Sequence, residues 1–299
     1  MKFGSVKTPQ HMDLSLPPDH RGTKKVLANL KDENLDNKAL KIYVGRAKWN
    51  RTDLKGFYPK GTKDELAYYA SQFNALEFNA PFYRIFSAEQ FALWHDKTPR
   101  GFKFFPKLNQ EISHWRRLNN TKAVVDHYLY NASNLKDKLG TVFLQMHANF
   151  APKDFDSVVR FIEEWPKAIP LAVEFRHGDW FQDEAVSKDL YQLFEAHHIA
   201  NGIVDTLGRR DLLHMRLTNS TAFVRFVGAN HPSDFTRLDT WIDRLNHWKL
   251  QGIKEIDFFV HQHIESESPL LSAYFIKKLN QTLGSNLKIP NENVQETLF

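Results

Sequence analysis

The 299-residue chain contains no cysteine, which excludes disulfides and cysteine-ligated metal sites. It also lacks long hydrophobic runs, because no stretch approaches the roughly 20 apolar residues of a membrane span. The first ten residues, MKFGSVKTPQ, contain no apolar run of signal-peptide length. These absences favour a reducing compartment, and we expect the protein in the cytoplasm.

Neither sign of charge dominates, since 40 basic residues face 35 acidic ones and the net charge is +5. This balance favours anionic partners only mildly. Hydrophobic residues make up 42% of the chain, which is enough for a large core. The 24 Phe, 9 Tyr and 7 Trp residues are expected mostly in that core, with some lining a pocket.

Short apolar segments alternate with amphipathic ones from residue 41 onward. The eight strand candidates are residues 41–45, 75–79, 102–107, 141–146, 171–176, 200–205, 222–228 and 256–261. A helical pattern follows each of them except the sixth, where residues 206–221 are irregular. The alternation predicts a closed parallel (βα)8 barrel of the TIM type. An open doubly wound sheet would more often carry a glycine-rich first turn, and VGRAKWN contains one glycine.

The same pattern divides the chain into three parts. Residues 1–40 are predicted to be a polar N-terminal extension, and residues 41–284 a single α/β barrel domain. Residues 285–299 are predicted to be a short C-terminal tail.

Several segments resemble the YecE-like family, also called domain of unknown function 72. They are VGRAKWN, FYP at 57–59, YYASQFNALEFNAPFY at 68–83, GFKFFPKLNQEISH at 101–114, LQM at 144–146, LAVEFRHGDWF at 171–181, VRFVG at 224–228 and the terminal LF. The resemblance implies a (βα)8-like barrel and implies no reaction. The chain departs from many relatives at GRAKW, at Val227, where many have His, and at HQH, where many have Asn-Asn.

Polar side chains recur on one face of several predicted strands, usually near the carboxyl end, where barrel active sites lie. The candidate catalytic residues are Glu77, Glu174, His177 and Asp205. The candidate substrate-binding residues are Asn79, Tyr83, Lys107, Gln145, Arg176, Trp180 and Arg225. The charged members could instead pair only with each other, although buried ion pairs stabilise a core poorly compared with apolar side chains.

Three carboxylates beside several cations suit acid–base chemistry on an anionic substrate, and Glu77 and Glu174 are the expected acid and base. The favoured function is an enzyme acting on a phosphorylated or other anionic substrate. Within it, a hydrolase of phosphate esters linked to nucleic acid, similar to a repair nuclease, is preferred. Lys107 could alternatively form a Schiff base. A non-catalytic sensor of a small anionic ligand is one competing hypothesis, and an adaptor recruited to the sliding clamp through its C-terminal QETLF tail is the other.

A divalent metal is a further option, with His261 and His263 as candidate ligands on one strand face. No nucleotide cofactor is expected, because the chain lacks the phosphate-binding fingerprints. The basic and aromatic run HWRRL at 114–118 could contact a nucleic-acid backbone or simply be exposed.

The chain ends in QETLF, which resembles the Gln-x-x-Leu-Phe peptide that binds bacterial sliding clamps. Gln295, Leu298 and Phe299 are the candidate partner-binding residues, presented by the polar run SNLKIPNENV. The alternative is that Leu298 and Phe299 pack back onto the barrel.

Overall fold

The computed structural model describes residues 4, 6, 12–32 and 39–291. The strands are β1 (Lys41–Arg46), β2 (Ala75–Phe78), β3 (Lys103–Pro106), β4 (Val142–Gln145), β5 (Leu171–Glu174), β6 (Ala200–Asn201), β7 (Ile203–Thr206), β8 (Thr221–Gly228) and β9 (Glu255–Gln262). The helices are α1 (Arg21–Asp32), α2 (Glu65–Gln72), α3 (Ala80–Tyr83), α4 (Ala88–Asp96), α5 (Lys122–Ala132), α6 (Phe155–Glu164), α7 (Asp179–Gln182), α8 (Glu184–Ala196), α9 (Ser233–Leu250) and α10 (Ser268–Leu283). Glu111–Trp115 forms a single π-helical turn.

Local sequence fixes where several helices begin and end. Asp64 accepts a hydrogen bond from the backbone N–H of Ala67 and caps α2, and Asp183 caps α8 in the same way. The last helix, α10, ends at Gly284, whose φ of 66° lies in the left-handed region that glycine adopts without a Cβ clash.

All strand pairings are parallel, which confirms the α/β class predicted from the alternation. One sheet has the order β3-β2-β1-β9-β8-β7, and a second has the order β4-β5-β6. The two sheets meet at two places. Leu108 N–H donates to the carbonyl of Phe143 (2.9 Å) beside β3 and β4, and only Gly202 separates β6 from β7 along the chain.

The two faces of the strands carry different cores. Leu76, Phe78, Val173 and Phe175 pack in the large cluster between strands and helices, as the alternation predicts. A smaller cluster fills the inner face, with Ala75, Phe105, Phe143, Ala172, Ala200, Phe223, Phe259 and, partly buried, Tyr43. Every strand except β7 contributes a residue to it. Burying each of these phenylalanines contributes about 1.5–3 kcal/mol.

Asp205 departs from the prediction that it points toward the inner face. It shares the outer face of β7 with Ile203, which packs in the strand–helix core. From α9, Arg237 Nη2 and Trp241 Nε1 each donate to its carboxylate at 2.8 Å. The inward assignment was wrong because a polar residue was assumed to face away from the helices, whereas α9 supplies charged and polar partners there.

The N-terminal segment packs on the stretch between β7 and β8, where the strand–helix alternation lacks a long helix. Thr23 Oγ1 donates to the Met215 carbonyl and accepts from Leu217 N–H, both at 2.9 Å. Leu27 of the same helix, α1, is buried in the core. This helix therefore covers the irregular stretch before β8 with chain from before β1.

The first part of the predicted tail also packs on the fold. Leu287 and Ile289 lie against the core, and Asn291 N–H donates to Gln72 Oε1 at 3.1 Å. The described part of the predicted tail, residues 285–291, is therefore packed on the fold. Gln295, Leu298 and Phe299 lie outside the described residues.

None of the helices that the structure describes has the length and apolar composition needed to cross a membrane.

Replacing Asp205 by alanine should lower the free energy of unfolding by about 3 kcal/mol, because the buried Arg237 guanidinium loses one of its two carboxylate partners and keeps Asp234. Urea denaturation measures the change. The control is Asp243→Ala, on the exposed side of α9, whose free energy of unfolding should stay within about 0.5 kcal/mol of the wild type. Equal effects of the two substitutions would contradict the outward pairing of Asp205.

Candidate functional site

Arg225 of β8 lies at the centre of a buried polar network at the carboxyl ends of the strands. Its Nε and Nη2 donate to the two oxygens of Glu77 at 2.9 and 2.8 Å. Its Nη1 donates to Glu174 Oε2 at 2.6 Å. All three side chains are buried, so one guanidinium binds two carboxylates that come from different sheets.

Glu77, near the end of β2, has two further partners. Asn79 Nδ2 lies 2.9 Å from its Oε1, and His261 Nε2 lies 2.6 Å from its Oε2. Burial acts to raise the pKa of Glu77, but the charges of Arg225 and His261 hold that pKa well below its usual range.

Glu174, the last residue of β5, also has two hydrogen-bond partners besides Arg225. Arg176 Nε donates to its Oε1 at 2.9 Å, and Gln145 Nε2 donates to the same oxygen at 2.8 Å. Burial opposes ionisation, yet Arg225 and Arg176 lower the pKa of Glu174 to about 2. Since the pKa values of Glu77 and Glu174 are both lowered, the expected division into an acid and a base is absent from this pair.

Lys107 lies beside the same network without a carboxylate of its own. Its Nζ donates to Gln145 Oε1 at 2.7 Å and lies 3.9 Å from the ring centroid of Phe82. Among the described residues no carboxylate forms an ion pair with it. Burial, followed by the charges of Arg225 and Arg176, lowers the pKa of Lys107 to about 7, with Glu174 and Glu77 acting in the opposite direction.

Hydrogen bonds fix the backbone that carries this lysine. Lys107 N–H donates to the Phe78 carbonyl at 3.0 Å, and the hydroxyl of Tyr128 donates to the Lys107 carbonyl at 2.9 Å. The backbone of Lys107 is therefore held in place on both sides, as a precisely positioned functional side chain requires.

The rim of the site contains two histidines that sequence reasoning did not select. His114 lies on the π-helical turn, with ring centroids 5.0 Å from Phe82 and 5.2 Å from His147. Burial and the nearby charge of Lys107 lower the pKa of His114 to about 4. The signal available in the sequence was the stretch GFKFFPKLNQEISH, which ends in His114 and belongs to the family resemblance.

The backbone after this turn is unusual. Arg117, Leu118 and Asn120 have φ values of 50°, 65° and 51°, in the left-handed region. Single π-helical turns and positive-φ residues are both enriched at functional sites. The two arginines of the HWRRL run both form ion pairs, Arg116 with Glu111 and Arg117 with Asp154.

Three other predicted residues lie away from the network. Trp180 is buried in the outer core, with its ring 4.2 Å from that of Phe175, so the prediction that it binds substrate is wrong. His177 lies in the loop after β5, where its Nδ1 accepts from Asp179 N–H at 3.4 Å. Tyr83 is 70% exposed, and its carbonyl accepts from Gln110 Nε2 at 3.2 Å.

The candidate metal ligands do not converge in the part of the chain that the structure describes, where no group of three His, Asp or Glu side chains is placed to hold a metal ion. His261 is bonded to Glu77, and His263 lines a separate surface groove beside Lys48 and Asp53.

Comparison with known proteins identifies relatives over most of the chain. The family model described as "Protein of unknown function DUF72" matches residues 43–294. UPF0759 protein YecE of Escherichia coli is 24% identical over 280 residues, covering 86% of this chain and 100% of that protein. UPF0759 protein YunF of Bacillus subtilis is 26% identical over 208 residues, covering 63% and 71%.

Two solved structures share the fold. A DUF72 family protein from Thermotoga maritima superposes with a TM-score of 0.65 at 24% identity, over 80% of this chain and 99% of that one. A DUF72 family protein from Enterococcus faecalis gives a TM-score of 0.64 at 18% identity, over 84% and 100%. None of these descriptions names an activity.

The lowered pKa of Glu174 makes stability depend on acid pH. Its charged contacts stabilise the folded state above the ordinary pKa of 4.5 and are lost as the pH falls toward about 2, a contribution on the order of 3 kcal/mol. Denaturant titrations from pH 6 to about 2 should show this loss. Glu174→Gln should be less stable at neutral pH and should show a shallower acid loss, whereas the exposed Glu163→Gln should follow the wild type. Parallel curves for all three proteins would contradict the buried ionised state of Glu174.

Proposed function

Because the chain belongs to the DUF72 family, which has no stated activity, we propose a function from its own site: a cytoplasmic enzyme acting on a phosphorylated or other anionic substrate. Lys107 carries this proposal. It is a buried amine with a pKa lowered to about 7 and no carboxylate partner among the described residues. Functional amines are commonly tuned to this range by burial and neighbouring cations.

We infer that the two sheets form one closed eight-stranded barrel, in which β6 and β7 together make the sixth strand. The hydrogen bond between Leu108 and Phe143 and the chain continuity at Gly202 support closure. The inner cluster supports it as well, because it takes residues from strands of both sheets. In this arrangement the network around Arg225 lies at the carboxyl-end mouth, where the active sites of such barrels are built.

Electrostatics support an anionic substrate. Arg225 is fully occupied by Glu77 and Glu174. Lys107 and Arg176 add positive charge on the same side, and Arg176 keeps 21% of its side chain exposed. An anion entering the mouth would therefore meet these cations, and Arg offers a bidentate match to phosphate or carboxylate.

The lowered pKa of Lys107 fits a catalytic role better than a role in binding alone. A binding protein gains most from a lysine that stays charged, whereas burial here lowers the pKa and makes a neutral amine available near neutral pH. Lys107 then acts as a base or nucleophile. Glu77 and Glu174 act by holding Arg225, and Glu174 also orients Gln145, the partner of Lys107.

A nucleic-acid substrate, cleaved at a phosphate ester, is the second candidate. Tyr83, the last residue of α3, and Trp115, the last residue of the π-helical turn, are 70% and 65% exposed, and Gln110 just before that turn donates to the Tyr83 carbonyl. Exposed aromatic rings beside cations are the usual platform for stacking unpaired bases. Recruitment by a sliding clamp through Gln295, Leu298 and Phe299 stays a prediction for the terminal residues.

Anion binding can be tested directly with inorganic phosphate. Phosphate should raise the melting temperature of the wild type, because it binds the folded state. Arg176→Gln should weaken phosphate binding by at least about tenfold, the loss of a charged hydrogen bond. Arg100→Gln removes an exposed arginine just before β3, at the opposite end of the strands, and is the charge-matched control. Equal shifts in all three proteins would remove Arg176 from an anion site.

The nucleic-acid candidate makes a separate prediction for a labelled oligonucleotide. Its affinity should fall by roughly 10³ between about 50 and 200 mM salt for six phosphate contacts. Tyr83→Ala and Trp115→Ala should each cost about 1–3 kcal/mol of binding to a single strand. Tyr130→Ala removes another exposed ring, on α5, and should bind as the wild type does. An affinity insensitive to salt, or no binding at low salt, would rule this substrate out.

A further inference from the structure

We propose that Lys107 forms a Schiff base with the carbonyl carbon of a small anionic aldehyde or keto acid. This inference rests on the proposed function and deepens it, since it names the chemistry of the substrate as well as its charge.

The contacts of the amine support a nucleophile. A lysine that serves only structure normally pairs with a carboxylate when buried. Lys107 Nζ instead has a neutral amide oxygen, Gln145 Oε1, at 2.7 Å and the face of Phe82 at 3.9 Å. Both contacts are compatible with a neutral amine, whose lone pair can attack a carbonyl carbon.

The surrounding charges keep this amine without an ion pair. Glu77 from β2 and Glu174 from β5 face it, but Arg225 from β8 binds both carboxylates. Arg176, just after β5, and His114, on the π-helical turn, face it from the rim. Arg225 and Arg176 thus place two cations near the lysine while the neighbouring carboxylates are engaged elsewhere, which is one established way of activating a lysine.

The step balances without a cofactor. The lone pair of Lys107 Nζ attacks the carbonyl carbon, and the carbonyl π electrons move to oxygen, which takes up a proton to give a carbinolamine. Loss of the hydroxyl as water, with loss of the second proton from nitrogen, leaves the imine. The substrate's anionic group would lie toward Arg176, whose side chain is partly exposed.

Access limits the size of the substrate. Lys107 is only 8% exposed, and Phe82 of the short helix α3 lies over its amine. Phe82 is itself only half-buried, so its ring can turn outward to admit a small molecule. Phe82→Ala should therefore speed adduct formation with a given aldehyde without changing which lysine reacts.

The test uses glyoxylate and cyanoborohydride, which reduces an imine to a stable secondary amine. Peptide mapping should find the adduct, glyoxylate less one oxygen atom, on Lys107 of the full-length protein. Lys103, the first residue of β3, has its amine bonded to the Asp137 carbonyl and is the internal control lysine. Acetaldehyde, which lacks the carboxylate, should label Lys107 at least about tenfold more slowly if Arg176 contributes a charged hydrogen bond.

The pH profile gives a second readout. Labelling of Lys107 should rise through about pH 7 as the neutral amine forms. Gln145→Glu places a carboxylate against the amine, stabilises the ammonium and should move the rise to higher pH. Lys107→Met should remove the adduct while circular dichroism shows an unchanged fold. A profile that stays the same in Gln145→Glu would contradict the role of this contact in setting the reactivity.

Two failures remain distinguishable. If glyoxylate binds by calorimetry, depends on Arg176 and leaves no adduct on Lys107, the Schiff base is wrong and the anion site stands. If glyoxylate and phosphate both fail to bind, the anionic-substrate function falls as well. Equal labelling of Lys107 and Lys103 would show ordinary surface reactivity and would also overturn the proposal.

Discussion

The pairing of Arg225 with Glu77 and Glu174 is the constraint on which the rest of the site depends. One buried guanidinium satisfies two carboxylates that reach it from β2 and β5, at distances of 2.6–2.9 Å. Removing any one of the three would take a charged partner from at least one buried group, which is more costly than losing a surface pair. The strands that carry these residues are therefore held in one relative position at their carboxyl ends.

This constraint also determines the state of Lys107. Because Arg225 occupies both carboxylates, the lysine amine contacts the amide oxygen of Gln145 and the Phe82 ring and forms no ion pair with a carboxylate of the described residues. Gln145 in turn is fixed by Glu174, so the amide oxygen is turned toward the amine and the amide nitrogen toward the carboxylate. A chain of hydrogen bonds thus runs from His261 through Arg225 to Lys107, and each member limits the orientation of the next.

The fold supports this arrangement with segments from outside the strand–helix alternation. The stretch before β8 contains no long helix, and α1, from before β1, packs there through Thr23 and Leu27. Residues after α10 pack beside α2, where Asn291 bonds to Gln72. The helix α1 and the residues up to Asn291 therefore both contribute packing to the domain.

The sequence by itself determined the α/β class, the strand positions and most of the inward-facing polar residues, because side-chain alternation in a strand is a local property. Glu77, Lys107, Gln145, Glu174, Arg176 and Arg225 follow from it, and the structure brings them together. Only the tertiary structure decided which of these side chains pair with each other, since Arg225 and Glu77 are 148 positions apart in the sequence. For the same reason the sequence could not show that Asp205 meets α9, that Trp180 is buried against Phe175, or that Lys107 is left without a carboxylate. Those outcomes depend on which helix or strand packs beside each residue, and short-range periodicity carries no information about such neighbours.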